Sequence, residues 1–301
     1  MRICTTLLIG MFSFGVPGWL EPTMLSTIEP TPLPAFEAPM LPPDPQDMAV
    51  FEEKTRIAMA EQNLAERTLA VAKSFLGTPY VSGTLGTNTD EQLIVNLRAL
   101  DCWTFMETSL ATALAAGTPD PSFDTLKSYI QQLRYWGGTI NGFASRIHYF
   151  SGWLLQAEKI GYLRDITSDL GGIPYRNKIG YMTARPGKYP PLKDPKTLHQ
   201  MQQVEKRLNQ HAWFFIPQNR IDQIESQLRD GDLIALTSGK SDLDIAHQGF
   251  AVRQNGRIHL LHASSLGRRV LISTQPLGQY VRAQKGQTGI MVARLVMSDE
   301  F

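Results

Sequence analysis

The stretch "IAHQGFAVRQNGRIHLLHAS" (residues 245–264) decides how the chain is read. Asn255–Gly256 is a strong two-residue hairpin signal, because a tight turn between twisted strands needs positive φ at both central residues. Pairing Gln254 with Arg257 and counting outward sets Val252 against His259, Gly249 against His262 and His247 against Ser264. Side chains alternate between faces along a strand. His247 and His262 then lie on one face as diagonal neighbours, with Gly249 leaving room between them. His259 points to the other face.

Outward from this hairpin, residues 232–238, 268–274 and 288–296 are also β-rich and bounded by turn residues. The first half reads as helices. Residues 50–75 carry good helix formers and end before Gly77, and 102–116 have Asp101 as an N-cap and Gly117 as a stop. Residues 123–136, 152–160, 195–211 and 220–229 follow as helices, and 171–194 as a long loop. Helices followed by a meander of strands predict an α+β fold with an antiparallel sheet.

Composition narrows the function. The 301 residues carry 29 Lys+Arg against 28 Asp+Glu, so a net charge of +1 gives no case for nucleic acid. No stretch is apolar for the ~18 residues or more that a membrane-spanning helix needs. Arg2 followed by "ICTTLLIGMFSFGV" (3–16) reads as an export signal over 1–20, which predicts a periplasmic or cell-envelope location. Residues 21–47 contain eight prolines and read as an extended linker, leaving 48–301 as one folded domain. Removing the signal removes Cys4 and leaves Cys102 as an unpaired thiol in an oxidising compartment.

Cys102 falls in the first turn of its helix, in "LRALDCWTFMET" (97–108). Free N–H groups and the helix dipole favour a thiolate there and predict a lowered thiol pKa. The plain alternative is a small buried hydrophobe. A nucleophile needs a base, and the hairpin offers His247 to take the proton and His262 to hold the ring and its tautomer. A zinc site of Cys102, His247 and His262 fits less well, since no His-x-x-x-His or His-Glu-x-x-His spacing occurs. No metal and no cofactor are expected.

Taken together, "FLGTPYVSGTL" (75–85), "LDCWTFME" (100–107), "RDGDLIAL" (229–236), "DIAHQGFAV" (244–252) and "IHLLHASS" (258–265) resemble, in that order, the NlpC-type cell-wall cysteine peptidases. "ASRIHYFSGWL" (144–154) is similar to their N-acetylmuramoyl-L-alanine amidase-like branch, long catalogued as a domain of unknown function. The resemblance spans about 70–301. It implies a papain-like fold, with the nucleophile helix packed on the antiparallel sheet and extra helices between the Cys and His motifs. It implies Cys102 as nucleophile, His247 as base and His262 as the orienting residue. Tyr80 is implied to line the active site. Arg146, His148, Tyr149, Trp153 and Ser264 are implied to meet the substrate, Arg146 by pairing with a carboxylate; the alternative for the 144–154 motif is plain packing at a helix entry, which is favoured for Trp153. The branch carries an acidic residue just before the tryptophan, where Gly152 stands here.

The implied activity is hydrolysis of the amide between N-acetylmuramic acid and L-Ala in peptidoglycan or muropeptides, through a cysteine acyl-enzyme. Three alternatives stay open: a D-Glu/diamino-acid endopeptidase of the same superfamily, an inactive wall-binding module, and a secreted papain-like protease or transglutaminase relative.

Overall fold

The computed structural model describes residues 44–86 and 91–296. The expected signal peptide and most of the expected linker lie outside them. Residues 45–47, expected in the linker, are helical instead. Helix α1 spans Pro45–Ala58, because the Asp44 carboxylate accepts the Gln46 N–H at 2.8 Å and Pro45 occupies the first helical position, where its missing N–H costs nothing.

The single helix expected over 50–75 is two helices. Asn63 interrupts it by capping α2 (Leu64–Ser74), its side chain accepting the Glu66 N–H at 3.0 Å. There follow α3 (Cys102–Ala116), α4 (Phe123–Arg134) and α5 (Phe150–Lys159). Strands β1 (Leu163–Asp165) and β2 (Ile173–Pro174) precede α6 (Pro195–Gln210) and β3 (Phe214–Pro217). The helix expected at 220–229 shortens to α7 (Ile221–Ile224) and one 3₁₀ turn. Strands β4 (Leu233–Ser238), β5 (Ile245–Gln254), β6 (Arg257–Ser264) and β7 (Arg269–Ile272) lie close to their expected ranges. An unforeseen helix, α8 (Leu277–Ala283), comes before β8 (Gln287–Leu295).

All strand pairs are antiparallel, in the order β2-β3-β8-β4-β5-β6-β7, with β1 also on β8. The fold is therefore α+β with an antiparallel sheet, and α4, α5 and α6 lie in sequence between Cys102 and the histidines. The hairpin register matches the count from the turn as far as Phe250–Leu261, with Gln254 facing Arg257 and Val252 facing His259 around Asn255 and Gly256 at φ 51° and 80°; the expected Gly249–His262 and His247–Ser264 pairs do not form, since the ladder stops before them.

The sheet separates two apolar clusters. Leu233, Ala235, Phe250, Val252 and Leu261 face the helices, whereas Ile234, Leu236, Ala251, Ile258 and Leu260 face α7 and α8. Helix α3 packs on β5 and β6, with Phe105 edge-on to Phe250 at 5.7 Å. Such a pair adds roughly 0.5–1.5 kcal/mol to the burial of its rings. This contact fixes the tip of α3 over the β5–β6 hairpin. Helix α3 is buried along nearly its whole length, and its one acid, Glu107, is paired with Arg134 of α4. Among the described residues, no helix is long and apolar enough to cross a membrane.

Candidate active site

Cys102 is the first residue of α3, and local chemistry puts it there. The Asp101 carboxylate accepts the Thr104 N–H at 2.8 Å, and Thr104 Oγ1 accepts the Asp101 N–H at 2.9 Å. This reciprocal cap satisfies two backbone donors. The Phe105 N–H goes to the Asp101 carbonyl at 2.9 Å. The N–H groups of Cys102 and Trp103 are left over, and both favour the charged form of the Cys102 sulfur.

A third N–H comes from the sheet. On β5, Ala251 donates its N–H to Asp232 O at 2.8 Å, on the β4 side. Successive residues of an antiparallel strand turn their N–H groups to opposite neighbours. Gln248 therefore points its N–H toward β6. The β5–β6 ladder ends at Phe250–Leu261; beyond it β6 continues on β7 as far as Ser264, and β5 continues on β4. Where the two strands part, the Gln248 N–H meets the Cys102 sulfur instead of a strand. A bulge at Ala246, between the Leu236–His247 and Thr237–Ile245 pairs, marks the same end of β5.

These donors do not lower the thiol pKa as the sequence predicts. Burial pushes it up to about 12, with the Asp101 carboxylate next in effect, and the N–H groups of Cys102, Gln248 and Trp103 oppose this only in part. Desolvation of the anion wins over the helix terminus. Across the parting strands, His247 Nε2 and His262 Nδ1 are 2.6 Å apart, with the ring planes at 84°. Burial lowers the His247 pKa to about 4, and burial followed by the neighbouring His247 lowers that of His262 to about 3. Near neutral pH the thiol and both imidazoles are thus uncharged. Gly249 keeps the strands close. A Cβ there would stand 2.5 Å from Leu261 O and 2.9 Å from His262 Cβ.

Two tyrosines flank the sulfur. Tyr80 is held by its N–H to Arg268 O at 3.0 Å. Its hydroxyl is pushed up to about 12 by burial, then by Cys102 and Asp101. Tyr280, on α8, is pushed up to about 12 by burial and then by Cys102, and its ring lies 5.3 Å from that of His262. The sequence reading missed Tyr280 because it found no helix there; Pro276 ahead of "LGQYVRA" is the signal that was available.

The residues of the 144–154 motif have a different setting. Arg146 is buried and donates to the Leu85 and Gly86 carbonyls, each at 3.3 Å, with Glu91 at 3.3 Å. Its guanidinium is already engaged, so the expected pairing with a substrate carboxylate is replaced by a hold on Leu85, Gly86 and Glu91. His148 Nε2 is 2.9 Å from Phe143 O, and burial, then Arg146, lower its pKa to about 3. Tyr149 is buried, donating to Glu205 at 2.6 Å and accepting the Met182 N–H at 2.8 Å. Trp153 is fully buried and stacks on Phe150 at 5.2 Å. Neither Tyr149 nor Trp153 offers a face to a substrate. Ser264 Oγ accepts the Gly267 N–H at 2.9 Å and is spent on the β6–β7 turn. At Gly152 a Cβ would stand 2.9 Å from the Trp136 ring, so the acid expected in the branch has no space here.

Two surface cavities, of about 320 and 400 Å³, are lined by Trp136, Asn141, Gln200 and Arg207 and by Arg164, Asp169, Arg229 and Arg294 among others. Neither is lined by Cys102, His247 or His262. The chemistry around the sulfur, not the size of a cavity, marks the candidate site.

Residues 70–290 match the family model described as AmiA-like, N-acetylmuramoyl-L-alanine amidase-like. The chain belongs to this amidase-like family. Solved structures agree. An N-acetylmuramoyl-L-alanine amidase from Bacteroides uniformis ATCC 8492 is 31% identical, with a TM-score of 0.71 over 76% of this chain and 98% of that one. A Bacteroides fragilis protein named "putative xylanase" is 35% identical, with a TM-score of 0.70 over 74% and 98%. Protein LPG0564 from Legionella pneumophila, at 20% identity and a TM-score of 0.64 over 83% and 95%, shares the fold. No curated protein sequence matches. The family supports an amidase-like cell-wall hydrolase, for which peptidoglycan is the suggested substrate.

Proposed function

We propose that the protein is an exported, cysteine-dependent amidase of the papain-like NlpC type. In this reading it cleaves the bond between the N-acetylmuramoyl lactyl group and L-Ala in peptidoglycan or its fragments. The observation that carries the reading is the convergence on Cys102. Three backbone N–H groups favour the anion at its sulfur, and one of them, from Gln248, follows directly on His247, whose ring is bonded to that of His262.

The steps follow from these groups. Substrate binding brings the amide carbonyl over the sulfur. His247 takes the thiol proton as the S–C bond forms, so the anion need not exist beforehand. The N–H groups of Cys102, Trp103 and Gln248 are placed to stabilise the oxyanion. His247 then gives the proton to the L-Ala nitrogen as the C–N bond breaks. Water, deprotonated by His247, attacks the thioester and releases the lactyl carboxylate and the thiol. His262 keeps the His247 ring in place throughout. Tyr80 borders the same space.

Glycoside cleavage, the chemistry in the name of the B. fragilis relative, needs two carboxyl groups flanking the bond. Of the acids in the "LDCWTFME" segment, Asp101 caps α3 and Glu107 is buried against Arg134. That arrangement favours the amidase.

The test is mass spectrometry of defined muropeptides after incubation with the protein and with Cys102→Ala. Free stem peptide beginning at L-Ala, from the unmodified protein alone, is the expected result. Cleavage between D-Glu and the diamino acid would move the protein to the endopeptidase reading with the same residues. Binding without any product would make it a wall-binding module.

A further inference from the structure

His262 is 1% exposed, and its second ring nitrogen, Nε2, is buried with no hydrogen-bond partner. A neutral imidazole carries one N–H, so the bond between His247 Nε2 and His262 Nδ1 can be built in two ways. If His262 Nδ1 donates, His247 must accept at Nε2 and carry its own proton on Nδ1. It then has no free nitrogen for the thiol proton. The His262 Nε2 lone pair would also be buried without a donor. If His247 Nε2 donates instead, His247 Nδ1 is a bare acceptor. His262 then holds its proton on Nε2, which needs somewhere to point.

No oxygen accepts there. The aromatic neighbours of the His262 ring are His247 and Tyr280, the latter with its centroid 5.3 Å away and its plane at 61°. An aromatic face accepts an N–H weakly, and the edge-on pairing of the two rings allows the Tyr280 face to take the His262 Nε2–H, which has no other partner. Tyr280 is itself fixed by α8, whose Leu277 and Val281 are buried in the apolar cluster beneath the sheet.

We infer that the Tyr280 ring is a positioning group that holds His262 as its Nε2–H tautomer and so leaves His247 Nδ1 free to act as the base. The inference rests on the reading of Cys102 and His247 given above. It assigns a role to an element outside the Cys and His motifs, and it makes the ring of Tyr280, rather than its hydroxyl, the part that matters.

The test uses the full protein with ¹⁵N-labelled histidine and long-range ¹H–¹⁵N spectra at neutral pH. Both His247 and His262 are expected as Nε2–H tautomers. Tyr280→Phe keeps the ring and is expected to keep both the spectrum and kcat. Tyr280→Leu is expected to give His262 a measurable Nδ1–H population and to lower kcat about fivefold with KM little changed, the weight of one weak bond of this kind. Finding His262 as Nδ1–H in the unmodified protein would overturn the inference, even if the Leu variant failed to fold. So would unchanged tautomers in Tyr280→Leu, or a loss in Tyr280→Phe equal to that in Tyr280→Leu. The underlying reading fails separately: it falls if Cys102→Ala still turns over substrate, whatever the spectra show.

Discussion

Residues 100–107 and 144–154 both carry family motifs, yet they spend their polar groups in opposite ways. In the first, the cap consumes Asp101 and Thr104 and leaves two N–H groups aimed at Cys102. In the second, Arg146, His148, Tyr149 and Ser151 each end on a partner inside the protein, and Trp153 is enclosed. A motif can mark a family because it builds the wall of a site, without its side chains reaching the substrate. Unspent donors beside a nucleophile are the better sign of chemistry.

The comparison can be broken at either end. The largest effect belongs to the first region's chemistry. His247→Ala should lower kcat/KM on muropeptides by about 10⁴ or more while thermal unfolding changes little, as expected when a base is lost from a set acting as a unit. A loss of tenfold or less would remove His247 from the reaction.

Trp153→Ala should act on stability instead, costing about 3–5 kcal/mol as a buried cavity, read from the urea midpoint. The folded fraction should keep its KM. A KM change without loss of stability would return Trp153 to the substrate.

The raised thiol pKa sets the third effect. With the pKa near 12, the thiolate fraction is small at pH 7 and grows about tenfold per pH unit. Alkylation of Cys102 by iodoacetamide should therefore rise about 100-fold between pH 7 and pH 9. A rate already level at pH 7 would mean a stable thiolate and would restore the expectation drawn from the helix terminus.

Tyr149→Phe is the smallest change. It leaves the Met182 N–H without its acceptor and takes one donor from Glu205, at a cost of about 1–3 kcal/mol in unfolding free energy and no change in KM.

Much of this was legible in the sequence because it is local. Asn255–Gly256 set a turn, and the register counted from it reached Val252–His259 unchanged. Asp101 reads as a cap three residues before Thr104, which places Cys102 at a helix start. What was missed depends on distant partners. Residues 152–160 read as a helix, but it begins at Phe150, and Asp244, 93 residues from Ser151, accepts the Ser151 N–H at 2.9 Å. Strands β1 and β3 are short and gain their identity by pairing with distant strands, β1 with β8 and β3 with β8 and β2.

The sequence by itself determined the α+β order of elements, the cap under Cys102 and the co-facial imidazoles, since turn, cap and alternation act within a few residues of backbone. Only the tertiary structure decided three further things. It parted β5 from β6 where the Gln248 N–H meets the sulfur, it brought Tyr280 from α8 to His262, and it raised the thiol pKa that the helix terminus alone would have lowered. Desolvation and unpaired strand edges depend on what the rest of the chain covers, and no local pattern records that.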